Sequence, residues 1–153
     1  MNIDATDKAI LKLLQHNGKY TIKELATKLN LTSTPIFERI KRLENNGFID
    51  SYKAILNRKK IGLSILVFSN VTLKSHEALF ISKFEKDILQ FDEVIECYHT
   101  AGVYDYLIKV MVKDMDDYQA FVAKKLASID NIGQVQSAFV MTEVKSTTNL
   151  PVH

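Results

Sequence analysis

Between Ser33 and Asn45 the chain places Ser33, Thr34, Glu38, Arg39, Lys41, Arg42 and Asn45, all able to form hydrogen bonds, among the aliphatic residues Ile36, Ile40 and Leu43. At helical spacing the three aliphatics form one stripe, and Thr34, Glu38, Lys41, Arg42 and Asn45 lie opposite them. That polar face suits a polyanion with readable edges. A guanidinium spans the O6 and N7 of guanine or grips a phosphate, and a lysine meets phosphate. On this reading Arg42 takes guanine or phosphate, and Lys41 takes phosphate. Glu38 either accepts from cytosine N4 or orients Arg42 one turn on. Arg39, at the edge of the buried stripe, is a phosphate clamp or a structural ion pair. Ser33 and Thr34 bring short hydroxyls to the positive end of a helix, where a phosphate oxygen is welcome. The plain alternative for each charge is a solvated helix face. No comparable constellation supports catalysis. There is no phosphate loop and no nucleophile–base pairing, and His16, His76, His99 and His153 show no metal-ligand spacing with one another or with Cys97. Neither an enzyme nor a resident cofactor is expected.

The elements needed to present such a face are readable in order. Ile10, Leu11 and Leu14 predict a first helix, with Asp4 or Thr6 available as its N-cap. Thr21-Ile22-Lys23-Glu24 is a capping box opening a short second helix. Asn30-Leu31 makes a tight connection. Thr32 or Ser33 caps a third helix with Pro35 in its first turn, and Gly47 closes it. The helix-turn-helix is therefore placed at about residues 22–41. Phe48-Ile49 and Tyr52–Leu56 read as a β-hairpin wing. After the polar stretch Asn57–Lys60 the period changes. A strand at Ser64–Leu73, a helix at His76–Leu89 with Leu79, Phe80, Phe84 and Ile88 inward, strands at Glu93–Thr100 and Tyr104–Val112, a helix at Met115–Ile129 and a strand at Gln134–Val144 follow. This βαββαβ order repeats one βαβ unit at an offset of about 38 residues and predicts a ferredoxin-like sheet with both helices on one face. The fold class is α+β, with residues 1–62 as a winged helix-turn-helix domain and 63–153 as a second domain.

Charge follows the same division. Residues 1–60 carry nine Lys and three Arg against three Asp and three Glu, a balance of +6, while residues 61–153 balance at −4. The basic half suits contact with a polyanion. In the predicted sheet Leu66, Phe68, Leu107 and Met111 point away from the helices, a patch too apolar to face water, so an obligate homodimer packed sheet to sheet is expected. A single cysteine, the absence of a long apolar window and an N-terminus unlike a signal peptide fit a cytoplasmic protein without membrane association.

The run Leu31-Thr32-Ser33-Thr34-Pro35-Ile36-Phe37-Glu38-Arg39-Ile40-Lys41-Arg42-Leu43-Glu44-Asn45-Asn46-Gly47-Phe48-Ile49 resembles the recognition-helix signature of the leucine-responsive regulator / asparagine synthetase regulator (Lrp/AsnC, feast/famine) family. Gly102-Val103-Tyr104-Asp105-Tyr106-Leu107 and Met141-Thr142-Glu143-Val144-Lys145 resemble that family's ligand-sensing domain. The likeness spans nearly the whole chain. It implies a sequence-specific double-stranded DNA-binding regulator of amino-acid metabolism genes, dimeric and often octameric, that responds to an amino-acid effector. It places the effector at the hairpin turn Gly102, Val103, Tyr104 and Asp105, with Ala138, Phe139 and Val140 near the side-chain pocket and His99 and Met115 lining it. Backbone amides around Gly102 suit an α-carboxylate and Asp105 an α-ammonium; alternatively Gly102 only supplies a positive φ and Asp105 caps the turn. Val103 departs from the Asp or Asn that many members carry after the glycine. Two other readings stand beside this one: an amino-acid-binding module of a biosynthetic enzyme, and an architectural DNA protein that wraps duplex without base preference.

Overall fold

The computed structural model describes residues 2–153 and divides into two compact units, the residues up to Ile55 together with Lys145–His153, and Leu56–Val144. This division falls earlier than the expected 62/63 boundary and returns the C-terminal segment to the first unit.

Three helices build the first unit: α1 (Ala5–His16), α2 (Ile22–Leu29) and α3 (Ser33–Asn45). Asp4 and Thr21 open α1 and α2 through reciprocal capping boxes with Asp7 and Glu24. Asn30, at φ 53°, turns the chain between α2 and α3, and the Leu31 N–H closes that turn on the Ala26 carbonyl at 2.9 Å. The apolar stripes converge on one core of Ile10, Leu25, Ala26, Ile36, Ile40 and Leu43.

Helix α3 ends in a Schellman motif, with Gly47 at φ 71° and the Phe48 N–H on the Leu43 carbonyl at 2.9 Å. The hairpin expected from Phe48-Ile49 and Tyr52–Leu56 does not form. The Ile49 N–H also turns back to Leu43, and the Tyr52 hydroxyl donates to Glu44 at 3.1 Å, so this segment follows the end of α3 instead of pairing with itself. The C-terminal segment lies along it. The Gln15 side-chain amide accepts from the Leu150 N–H at 2.6 Å and donates to the Leu150 carbonyl at 3.2 Å, and Leu150 and Val152 line a groove with Leu11, Leu14, Phe48, Ile49 and Tyr52.

In the second unit β1 (Ile65–Leu73), α4 (Ala78–Ile88), β2 (Val94–His99), β3 (Tyr106–Val112), α5 (Met115–Ala120) and β4 (Ile132–Phe139) follow in order. The sheet is antiparallel with strand order β2-β3-β1-β4, the split βαβ arrangement expected from the duplication. Val67, Val71, Ile108, Val110 and Tyr106 face Phe84, Ile88, Tyr118, Phe121 and Leu126 in a single core, so both helices cover the same face. Leu79 is a correction. It is 75% exposed, because the inward face of α4 runs through Ile81, Phe84 and Ile88. The expected helix at 115–129 is also not uniform. After α5 the chain makes a π turn over Phe121–Lys125 and a 3-10 turn over Leu126–Ser128. Buried residues there fall at 118, 121, 126 and 129, and the wide π turn spans the five-residue step that an α-helix would misdirect.

Strand β4 ends at Phe139, short of the expected Val144. One further bond joins the Val140 N–H to Leu66, after which Glu143 turns to Arg58, whose Nη2 lies 2.6 Å away. The helix-free face carries Leu66, Phe68, Leu107, Met111 and Tyr98. It is less bare than expected: Leu66 is buried within its own unit, and Lys109 pairs with Glu96 at 2.8 Å across the face. Among the described residues no helix is long and apolar enough to cross a membrane.

Candidate functional site

Of the seven residues expected to face a polyanion, Ser33, Thr34, Glu38, Lys41, Arg42 and Asn45 are exposed and Arg39 is half-buried, while Ile36, Ile40 and Leu43 are buried beneath them. The stripe and its opposite face lie as the periodicity requires. The N-terminus of α3 is open. Thr32 occupies the N-cap position with an extended backbone, yet its hydroxyl caps nothing, since the third helical residue is Pro35 and has no N–H to offer. The first amides of α3 and three neighbouring hydroxyls are therefore left facing solvent.

The arginines are less free than the sequence suggested. Arg39 Nη1 lies 2.6 Å from Asp4 Oδ2 and 2.7 Å from Asp7 Oδ1. Arg42 Nη2 donates to both oxygens of Asp7, at 2.9 and 2.8 Å. Asp7 is fully buried at the start of α1, so α1 fastens α3 through a carboxylate shared by two guanidiniums. Of the alternatives open for Arg39, the ion pair is what the geometry shows. Glu38 does not orient Arg42; Asp7 does. The Asp7 amide and then the Arg39 guanidinium hold the Asp4 carboxyl below its usual range, and Asp4 and Asp7 together keep Arg39 more firmly protonated. Glu38, Arg39, Arg42 and Pro35 line an open concavity on α3. Lys41 lies 3.7 Å from Glu44 and over the Phe37 ring, a loose arrangement that leaves its ammonium exposed. The role of Asp7 was missed because ion pairs between distant helices leave no periodic trace in a sequence.

The expected sensing residues do not gather in one place within the chain. Gly102, at φ 148°, and the exposed Val103 form the tip of the β2–β3 turn. Among the described residues the backbone N–H groups of 101–104 donate to no group of the chain. Asp105 is committed: its Oδ2 accepts the Leu73 N–H at 2.7 Å and its Oδ1 meets His76 Nε2 at 2.8 Å. The Leu73 amide first, with His76 adding to it, lowers the Asp105 carboxyl below its ordinary value. Asp105 thus caps the end of β1, and each of its oxygens already accepts one hydrogen bond. The Tyr104 hydroxyl bonds Gln136, and His99 stacks on Tyr106 at 4.6 Å. Ala138, Phe139 and Val140 lie elsewhere. Phe139 pairs with Val67 and packs on Tyr118, whereas the turn adjoins Val71, so the two groups sit toward opposite ends of β1. Met115 is exposed at the start of α5.

Residues 66–150 match the family model described as the Lrp/AsnC ligand binding domain, and residues 3–50 match a winged helix-turn-helix DNA-binding model. The chain belongs to the Lrp/AsnC family. Among curated Lrp/AsnC relatives, the DNA-binding transcriptional activator DecR of Escherichia coli is 35% identical over 150 residues, 98% of this chain and 99% of that protein. The leucine-responsive regulatory protein of the same organism is 33% identical over 99% of this chain and 92% of its own. A Neisseria meningitidis transcriptional regulator, NMB0573, solved as an L-Met complex, superposes with a TM-score of 0.94 at 33% identity, covering 98% of this chain and 97% of that one. An AsnC family regulator of Agrobacterium tumefaciens gives a TM-score of 0.93 at 36% identity, covering 97% of both chains. This Lrp/AsnC chain is accordingly a DNA-binding transcriptional regulator with a ligand-binding domain, and not an enzyme.

Proposed function

We propose that this regulator reads specific DNA sequences through the exposed face of α3, controls genes of amino-acid metabolism and answers to a free amino acid. The observation that carries the reading is the open amino end of α3, with Ser33 and Thr34 at its start and Glu38, Lys41, Arg42 and Asn45 exposed along one face. Phosphates take the hydroxyls, helix amides and Lys41; Glu38 and Asn45 are free to address base edges. Arg42, held by Asp7, is a positioning contact to phosphate. The α-carboxylate of the effector is received by the unpaired amides of the 101–104 turn. Asp105 takes the α-ammonium through the remaining lone pairs of its carboxylate, alongside the Leu73 amide and His76. Because the turn and Ala138–Val140 lie apart within one chain, a pocket using both is completed by a second copy. The working form is a homodimer that assembles further toward an octamer and acts in the cytoplasm. The L-Met complex of the Neisseria relative supports the effector class, though not its identity here.

Affinity for the duplex upstream of the protein's own gene and for random duplex, each followed across salt concentration, tests the reading. Specific binding should be about 10³-fold or more tighter. Equal affinities with equal salt slopes would overturn it in favour of an architectural role. A screen of the twenty amino acids for a rise in unfolding temperature tests the effector, and no response to any of them would remove it.

A further inference from the structure

Arg39 is shared by two carboxylates of different kinds. Asp7 has a side chain 1% exposed and also holds Arg42, whereas Asp4 is 52% exposed and, among the described residues, pairs with no other cation. The same Arg39 lines the open concavity of α3 with Pro35, Glu38 and Arg42, beside the face offered to DNA. A carboxylate and a phosphodiester make the same charge-assisted hydrogen bond to a guanidinium.

We propose that Asp4 is an internal stand-in for a DNA phosphate: it occupies Arg39 in the free protein and yields that guanidinium to the backbone of an arriving duplex, while Asp7 holds Arg39 and Arg42 in place throughout. The inference rests on the DNA-binding reading above. Exposure separates the two acids, since Asp4 can leave into water and Asp7 cannot without stranding a buried charge. Asp4 also caps α1, accepting the Asp7 N–H at 2.8 Å through Oδ1, whereas Arg39 is met by the other oxygen, Oδ2. Capping and pairing use separate atoms, so the pair can open while the cap stays. The consequence is a brake on affinity that is blind to sequence: every duplex must displace the same carboxylate.

Asparagine caps helices as well as aspartate does, so Asp4→Asn removes the charge and keeps the cap. Full-length wild type, Asp4→Asn, Arg39→Gln and the double variant are titrated against specific and random duplex over a salt series, with Asp50→Asn as a control that deletes an equal charge from an exposed residue. Asp4→Asn should bind both duplexes about two- to fivefold more tightly, the size of an exposed ion pair. Its salt slope should stay unchanged, because Arg39 reaches phosphate in both proteins. Arg39→Gln should lower the slope by about 0.9, the loss of one phosphate contact, and Asp4→Asn should then gain nothing in its background. Wild-type affinity for Asp4→Asn overturns the proposal, as does a gain that survives Arg39→Gln. Should Arg39→Gln fail to fold, an equal gain from Asp50→Asn is decisive against it, since that marks a general effect of net charge. If the wild type itself binds no duplex, the failure belongs to the DNA-binding reading and takes this proposal with it.

Discussion

Asp7 and Asp105 have in common that both oxygens of each carboxylate accept from partners far away in sequence. Removing Asp7 withdraws three hydrogen bonds from two guanidiniums and one from the Asp4 amide. Breaking a fully buried pair costs about 3–5 kcal/mol. Here Arg39 and Arg42 retain partial access to water, which screens the stranded charges. Asp7→Ala should therefore destabilise the first unit by about 2–3 kcal/mol in urea unfolding, and a loss below about 0.5 kcal/mol would show that the clamp contributes little. Asp105 makes a statement about pH. Its carboxyl titrates lower in the folded chain than in the unfolded one, so its contribution to stability is complete above the ordinary carboxylate range. That contribution fades as pH falls through the lowered folded value. The stability of Asp105→Asn should depend less on pH over that acidic window than wild type does, and parallel curves would contradict it. The polar residues of α3 were legible because they share a helix period. Their fastening to α1 was not, since it depends on which helix ends meet in space.

At the scale of elements, local chemistry was legible where a few neighbouring residues decide the outcome. The capping box at Thr21, the N-cap at Asp4, the Asn30 turn and the Gly47 terminus all formed as their residues require. Gly47 has nothing within 4 Å of where a Cβ would stand, so the cost of Gly47→Ala is conformational alone, about 1 kcal/mol by chemical denaturation. A neutral substitution would mean that the left-handed turn relaxes without consequence. Elements whose fate depends on remote partners were read less well. Phe48-Ile49 and Tyr52–Leu56 read as a hairpin, but the Schellman bonds and Glu44 claim Phe48, Ile49 and Tyr52. The π turn follows from where Leu126 must point, which only the packed sheet defines. The C-terminal segment 145–153 was assigned to the second domain and instead returns to α1. The Leu150 amide should therefore exchange slowly with solvent, and Gln15→Ala should speed it selectively; rapid exchange in wild type would show that the segment does not dock.

Across the whole molecule, the duplication and the charge division were both visible without coordinates, because a repeated βαβ unit permits few closed topologies. The order β2-β3-β1-β4 followed. A sensing pocket was harder to read. The residues expected to form it separate into two groups along β1, and a sequence does not say which residues distant along the chain come together. The basic charge of residues 1–60 suits contact with a duplex but carries no means of selecting among duplexes. On the proposed reading, selection falls to side chains that are exposed and uncommitted, and with Arg39 and Arg42 fastened to α1, Glu38 is the foremost of these on α3. The most direct measurement is therefore the affinity of wild type, Glu38→Ala and Arg42→Ala for a set of operator duplexes changed one base pair at a time. Glu38→Ala should lose about 1–3 kcal/mol of preference at a single base pair, while Arg42→Ala weakens every duplex alike. Identical base profiles for all three proteins would contradict the claim that α3 does the reading.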